Sequence, residues 1–92
     1  MPKYIVERNM PGAGNLSEEQ HRGGAQNSLK VLSKMGSEIQ WVQSYVTEDK
    51  IYCLYSAPSK EMIKEHAVKA GIPADRISEI KAVIDPGIAE EG

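Results

Sequence analysis

Several residue types are scarce in this sequence, and each shortage excludes a class of protein. The chain has one cysteine, no phenylalanine and no apolar run that approaches the length of a membrane span. One thiol cannot form an internal disulfide, which agrees with a reducing compartment. The N-terminal segment MPKYIVER also lacks the apolar region of a signal peptide. We therefore expect a cytoplasmic protein that does not bind a membrane.

Basic residues are scarce as well. Eleven Lys and Arg are outnumbered by thirteen Asp and Glu, which gives a formal net charge of -2, and the basic residues do not cluster. Nucleic-acid-binding domains need such a cluster to contact phosphates, so we expect no nucleic-acid partner. The total of 92 residues fits one domain. We place this domain at residues 1–86 and expect a loose C-terminal tail at 87–92.

The aromatic residues are few but concentrated in one stretch. Residues 37–57 contain the Trp, three of the four Tyr and the only Cys. Segments 39–46 and 51–55 are rich in β-branched and aromatic residues and flank a polar turn at 47–50, which predicts a β-hairpin. The second segment, IYCLY, does not alternate apolar with polar residues. Such a run is typical of a strand covered on both faces.

A strand, a loop and a helix are predicted before this hairpin. Residues 3–8 have the composition of a strand, and a flexible loop with Gly12 and Gly14 follows. This loop lacks the further residues of a phosphate-binding motif. A capping-box pattern from Ser17 to Gln20 then starts the helix. Its inner stripe is predicted to be Ala25, Ser28, Leu29, Leu32 and Met35.

A second helix and a last strand are predicted after the hairpin. Ser59 is the predicted N-cap of the helix, and Gly71 ends it. Its inner stripe is predicted to be Met62, Ile63, His66, Ala67 and Ala70. The last strand is predicted at 77–85, and Pro86 stops it. One face of this strand is expected to carry Ile80, Ala82 and Ile84.

The predicted order is strand, helix, strand, strand, helix, strand, which is the βαββαβ plan of the α+β, ferredoxin-like folds. In this plan both helices cover one face of a four-stranded antiparallel sheet. The other face is bare unless a partner covers it, and large bare apolar patches usually mark interfaces. We therefore expect a homodimer in which two open sheet faces enclose a cavity, the dimeric α/β-barrel arrangement.

His66 is the most informative polar residue, because it falls in the inner stripe of the second helix. A buried imidazole needs a partner. It is either a core histidine bonded to a Tyr hydroxyl or a backbone carbonyl, or a metal ligand or proton-transfer group that faces the sheet. In the second case its candidate neighbours are Glu7, Tyr52 and Cys53, from the two central strands of this plan.

Three other polar residues each have a structural and a functional interpretation. Cys53 is either a small buried hydrophobe or a ligand suited to zinc, copper or nickel. Glu7 is either a solvated or intersubunit charge or a carboxylate that lines the cavity as ligand or base. His21 is expected at the surface, where partial exposure would also allow it to bind a metal.

Two aromatic residues are candidates for contact with a ligand. Trp41 alternates in phase with Ile39, Gln43 and Tyr45. It is expected to pack in the core or an interface, with stacking on a ligand as the alternative. Tyr52 would shape the wall of a pocket in the same way.

Five short segments of the sequence also occur together in other proteins. They are Tyr4-Ile-Val-Glu-Arg8, Ile39-Gln-Trp-Val-Gln-Ser-Tyr-Val46, Lys50-Ile-Tyr-Cys53, and Glu65-His-Ala67 followed by Gly71-Ile-Pro-Ala-Asp-Arg76. Across nearly the whole chain they resemble a family of small bacterial domains of unknown function. The resemblance implies a ferredoxin-like fold, homodimerisation and, for at least one cytoplasmic member, nickel binding and a response to nickel. His66, Cys53, Tyr52 and Glu7 lie within the matching segments, whereas His21 does not.

These observations lead to one main hypothesis and two alternatives. The main hypothesis is a homodimeric protein that binds a divalent transition metal, nickel by resemblance, through His66 with help from Glu7 or Cys53. A mixture of N, O and S ligands is compatible with nickel. One alternative is a cofactor-free α/β-barrel enzyme that acts on a small apolar molecule, with His66 or Glu7 transferring a proton. The other is a dimeric scaffold with no small ligand. No catalytic motif is present, which favours a binding protein over an enzyme.

Overall fold

The structure is a computed structural model that describes residues 1–90, and it has the predicted order of elements. The strands are β1 (Lys3–Asn9), β2 (Gln40–Val46), β3 (Lys50–Ser56) and β4 (Arg76–Glu79). The helices are α1 (Glu18–Met35), α2 (Lys60–Ala70) and the short α3 (Pro86–Glu90), and a 3-10 turn spans Ala13–Asn15. The strands form one antiparallel sheet in the order β2-β3-β1-β4. The predicted α+β, ferredoxin-like fold is therefore confirmed.

The two long helices begin and end where the sequence signals predict. Ser17 Oγ accepts a hydrogen bond from the Gln20 amide at 3.1 Å, and Gln20 Oε1 accepts one from the Ser17 amide at 2.9 Å. This capping box satisfies two amides that a helix N-terminus leaves free. Ser59 caps α2, and Gly71 ends it in the left-handed region at φ 69°. None of the helices in residues 1–90 is long and apolar enough to cross a membrane.

The two faces of the sheet have different environments. Along β1, Tyr4, Val6 and Arg8 are buried against the helices, while Ile5 and Glu7 point to the opposite face. The core lies between the sheet and the two long helices. Its buried apolar cluster comprises Tyr4, Val6, Leu32, Ile39, Cys53, Tyr55, Ala57 and Ile63.

The opposite face of the sheet is not covered by any element of residues 1–90. Ile5, on central strand β1, is 37% exposed, and Tyr45, on β2, is 52% exposed. Tyr52 and Leu54 on β3 are only partly buried there. The IYCLY run is thus covered on one side only within a single chain, and the predicted partner subunit would supply the other cover.

A β-bulge in β2 changes the predicted phase of Trp41. Trp41 pairs with Tyr55 and Gln43 pairs with Leu54, so the register shifts by one residue between them. The prediction that Trp41 shares a face with Gln43 and Tyr45 is therefore wrong. Trp41 lies on the helix-covered face, because a bulge places one extra residue in the strand and reverses the alternation beyond it.

The last strand is shorter than predicted. It ends at Glu79, which pairs with Tyr4, and the Ile80 amide donates to the Lys3 carbonyl at 2.8 Å. Because β1 begins at Lys3, the residues beyond Ile80 have no strand to pair with. The predicted alternation at Ala82 and Ile84 consequently forms no ladder, and both residues are exposed. The segment predicted as a loose tail overlaps α3, which has no buried residue, and residues 91–92 lie outside the described residues.

Two features of the first half also differ from the predictions. Leu29 is 55% exposed and does not belong to the inner stripe of α1, which instead runs through His21, Ala25, Ser28, Leu32 and Met35. The loop before α1 is an ordered 3-10 turn that packs on the β2–β3 turn. The Gly14 amide donates to the Glu48 carbonyl at 2.9 Å. A Cβ at Gly14 would lie 2.9 Å from the Glu48 Cα, so only glycine fits this contact.

Candidate functional site

A cavity of about 320 Å³ lies between α1 and the helix-covered face of the sheet. This volume is at the lower end of the range for small-molecule sites. Aliphatic side chains form most of the wall, namely Met10, Leu16, Ala25, Val46, Ile51 and Ile72. The rings of Trp41 and Tyr55 complete the apolar part of the lining.

The polar part of the lining comes half from adjacent strands and half from α1. It consists of Arg8, Gln20, His21, Ser28, Ser44 and Cys53. Strand β1 supplies Arg8, β3 supplies Cys53 and β2 supplies Ser44, which pairs directly with Cys53 in the sheet. Residues that pair directly across antiparallel strands point to the same face. The sheet thus places a guanidinium, a thiol and a hydroxyl together against α1.

Arg8 is the dominant charge of this site. Its side chain is 2% exposed. Nε donates to Cys53 Sγ at 3.4 Å, Nη2 donates to the Tyr55 hydroxyl at 3.1 Å, and Nη1 donates to the Pro73 carbonyl. The guanidinium also lies 5.9 Å from the centre of the Tyr55 ring. Within residues 1–90 no carboxylate forms an ion pair with Arg8.

A hydrogen-bonded chain continues from Arg8 across the floor of the cavity. Trp41 Nε1 donates to Ser44 Oγ at 2.9 Å, and Ser44 Oγ donates to Cys53 Sγ at 2.9 Å. Cys53 Sγ therefore accepts hydrogen bonds from both Ser44 and Arg8. The chain fixes the orientation of the Trp41 indole, because its only polar atom is bound to the neighbouring hydroxyl.

His66 lies behind Tyr55, between α2 and the sheet, and is fully buried. The two rings are 5.5 Å apart and tilted by 56°. Neither ring nitrogen has a hydrogen-bond partner in the described part of the chain. Burial, and secondarily the positive charge of Arg8, lower the pKa of His66 below its usual value, and a nearby backbone group of Ser28 acts in the opposite direction. His66 is consequently neutral at pH 7. Burial also raises the pKa of Tyr55.

Glu7 and Tyr52 lie on the open face and pair directly across β1 and β3. The Glu7 carboxylate accepts a hydrogen bond from Lys50 Nζ at 3.0 Å. This contact raises the pKa of Lys50. Glu7 is partly buried, so its charge is shared between Lys50 and solvent.

The structure therefore divides the predicted site residues between the two faces. His66, Cys53 and Trp41 lie on the helix-covered face, whereas Glu7 and Tyr52 lie on the open face. The predicted ligand set of His66, Glu7 and Cys53 does not come together within one chain. Among residues 1–90, no three His, Cys, Asp or Glu side chains lie close enough to hold a metal ion.

The ligand types nevertheless suit nickel in part. Imidazole nitrogen and cysteine sulfur are both ligands of nickel and related metals, and the neutral imidazole of His66 has one unprotonated ring nitrogen with no hydrogen-bond partner in residues 1–90. Cys53, by contrast, accepts hydrogen bonds from Arg8 and Ser44. The charge of Arg8 also opposes a second cation beside it. One subunit therefore offers two suitable ligands but not a complete site.

Arg8 and Tyr55 belong to the cavity although they were not predicted as site residues, and His21, which was expected at the surface, also lines it. The sequence did contain a signal for Arg8, because it has the same strand parity as Tyr4 and Val6 and must point toward the helices with them. Tyr55 follows from its parity with Cys53. His21 lies one helical turn before Ala25, so the helical period placed it at the start of the inner stripe of α1.

Comparison with known proteins agrees with this fold. A crystal structure of SCO4226 from Streptomyces coelicolor A3(2) superposes with a TM-score of 0.75 at 24% identity, over 89% of this chain and 99% of that one. This similarity supports the shared fold. No curated protein sequence matches the chain significantly. The family model described as "nickel responsive protein SCO4226-like" matches residues 4–80. The chain therefore belongs to the SCO4226-like family.

Proposed function

We propose that this chain is a homodimeric protein that binds a divalent transition metal, nickel by family membership, and that two copies associate through the open faces of their sheets. The family description, which names a response to nickel, supports the choice of metal. A cytoplasmic location is part of the same proposal. It is supported by the single free thiol of Cys53.

The observation that carries the dimer is the uncovered sheet face. Its exposed apolar residues are Ile5 and Tyr45, and the partly buried Tyr52 and Leu54 adjoin them. A two-fold dimer would place this surface against itself. Full burial of one large apolar side chain contributes about 1.5–3 kcal/mol, so a few such residues would offset part of the cost of association.

His66 is the proposed first ligand of the metal. Among the three predicted ligands, it is the one whose donor atoms make no hydrogen bond in the described structure. Its lowered pKa keeps the imidazole in the neutral form that binds metals. Cys53 is the second candidate ligand on the same face. Because Arg8 opposes a cation there, we expect Arg8→Gln to strengthen nickel binding by at least several-fold.

The direct test is calorimetric titration of nickel, zinc and copper into tag-free protein stripped with a chelator. His66→Leu is expected to abolish stoichiometric nickel binding. Replacing a buried, unpaired imidazole with an apolar group of similar size should leave the protein folded. His21→Leu is the matched control and is expected to keep the affinity. Sedimentation should show a dimer for all three proteins.

Two results would contradict this assignment. Unchanged stoichiometric binding by His66→Leu would show that His66 is not a ligand. Loss of binding in Glu7→Gln, with binding retained in His66→Leu, would instead locate the metal at the open face. Because Glu7 and His66 lie on opposite faces, the two variants distinguish the two locations.

A further inference from the structure

We propose that the cavity between α1 and the sheet binds a small apolar monocarboxylate, whose carboxylate pairs with the guanidinium of Arg8. This inference does not depend on the nickel or dimer proposals. It is based on the combination of a buried cation that has no counter-charge in residues 1–90 and a cavity with mostly apolar walls.

The first argument is the charge of Arg8. An arginine side chain stays protonated under all ordinary conditions. Here it is buried, and its partners in residues 1–90 are a carbonyl, a phenol and a cysteine sulfur. Buried charges are normally paired with an opposite charge, because removing an ion from water is costly. Three of the five N–H donors of Arg8 are used, which leaves two for a carboxylate.

The second argument is the lining of the cavity. Aliphatic and aromatic side chains form most of the wall beyond Arg8, and Trp41 and Tyr55 are the aromatic ones. A ligand that leaves water for this cavity must itself be mainly apolar. One buried cation matches a single negative charge, whereas a phosphate dianion would remain undercompensated. A small hydrophobic acid satisfies both requirements.

The third argument is the open space next to Gly24, on α1. Gly24 lies on the face of α1 that lines the cavity, and a Cβ there would meet no atom within 4 Å. Glycine within a helix costs about 1 kcal/mol relative to alanine. At this position the missing side chain keeps the cavity open. Gly23, its neighbour, also has open space around it but does not line the cavity.

The test uses 3-phenylpropionate and its neutral amide, 3-phenylpropanamide, as matched probes. Trp41 is the only tryptophan and lines the cavity, so its fluorescence reports binding directly. We expect the carboxylate to bind about tenfold or more tightly than the amide, because a hydrogen bond to a charged group is stronger than one between neutral groups. In Arg8→Gln this preference should disappear.

A second pair of variants keeps the proposal testable if Arg8→Gln does not fold. Gly24→Leu should fill the cavity and abolish binding of 3-phenylpropionate, whereas Gly23→Leu should retain it. Equal affinity for the two probes, or no response of Trp41 to either, would overturn the proposal. So would retention of the carboxylate preference in Arg8→Gln, or equal binding by the two glycine variants.

Discussion

The two faces of the sheet differ in which of their groups lack a partner within residues 1–90. The helix-covered face is packed with apolar side chains, yet it also holds a cavity lined by the buried cation of Arg8 and, behind Tyr55, the imidazole of His66, which has no hydrogen-bond partner in residues 1–90. The open face carries apolar side chains in contact with solvent, and two of its charged residues, Glu7 and Lys50, form an ion pair. Within residues 1–90, buried polar groups on the helix-covered face lack partners, and apolar side chains on the open face lack a cover. A small ligand would complete the former, and another protein surface the latter.

The largest expected effect concerns the core on the helix-covered face of the sheet. Ile63 is fully buried on α2. Ile63→Ala should lower the free energy of unfolding by about 2–5 kcal/mol, because it removes buried methyl groups and leaves a cavity. Urea unfolding measures this loss. Val68→Ala, at an 81% exposed position of the same helix, should stay within about 0.5 kcal/mol of the parent. Similar losses in the two variants would contradict the placement of the core.

The next effect concerns the open face. Ile5→Lys should weaken the dimer at least tenfold, about 1.4 kcal/mol, because the interface would then bury a charge without a partner. Sedimentation velocity over a dilution series measures the change. Val68→Lys makes the same replacement at an exposed apolar site away from the sheet and should leave the dimer intact. A monomeric parent protein, or an unchanged Ile5→Lys dimer, would rule out association through this face.

The smallest effect is the pH dependence that His66 produces. Its pKa is lowered in the folded protein, whereas in the unfolded chain it titrates near its ordinary value of about 6.5. Below that pH the unfolded chain binds the additional proton, so stability falls as pH decreases, by at most about 1.4 kcal/mol per pH unit. Urea unfolding should be measured between about pH 7.5 and about pH 5, a range that brackets the ordinary histidine pKa. The free energy of unfolding should fall more steeply with decreasing pH for the parent than for His66→Leu. His21→Leu, at a partly exposed position, should keep the parent slope.

Much of the fold was predictable because its signals are local. The capping box at Ser17, the N-cap at Ser59 and the terminating Gly71 all depend on residues within a few positions of each other. The hairpin follows from two strand-forming segments around a short polar turn. From these elements the topology follows, since short connections limit how strands can be arranged.

The parts that could not be predicted depend on tertiary contacts. The bulge after Trp41 changes the face on which every later residue of β2 lies. The order of residues in the sequence does not indicate this bulge. Strand β4 ends early because β1, the strand with which it pairs, has no further residues to offer there. The cavity itself arises from the distance between α1 and the sheet. Arginine generally stays exposed, so the residue type argued against the burial of Arg8, whereas strand parity favoured that burial.

The bulge in β2 also has a consequence for how this chain can associate. Strands β2 and β4 form the two edges of the sheet, and an edge with unpaired amides and carbonyls can recruit a strand from another chain. The bulge distorts one edge, and β4, with four residues, is a short second edge. Fibril-like growth by strand addition is thereby disfavoured at both sides of the sheet. Self-association through the open face, as proposed above, would instead end after one partner has bound.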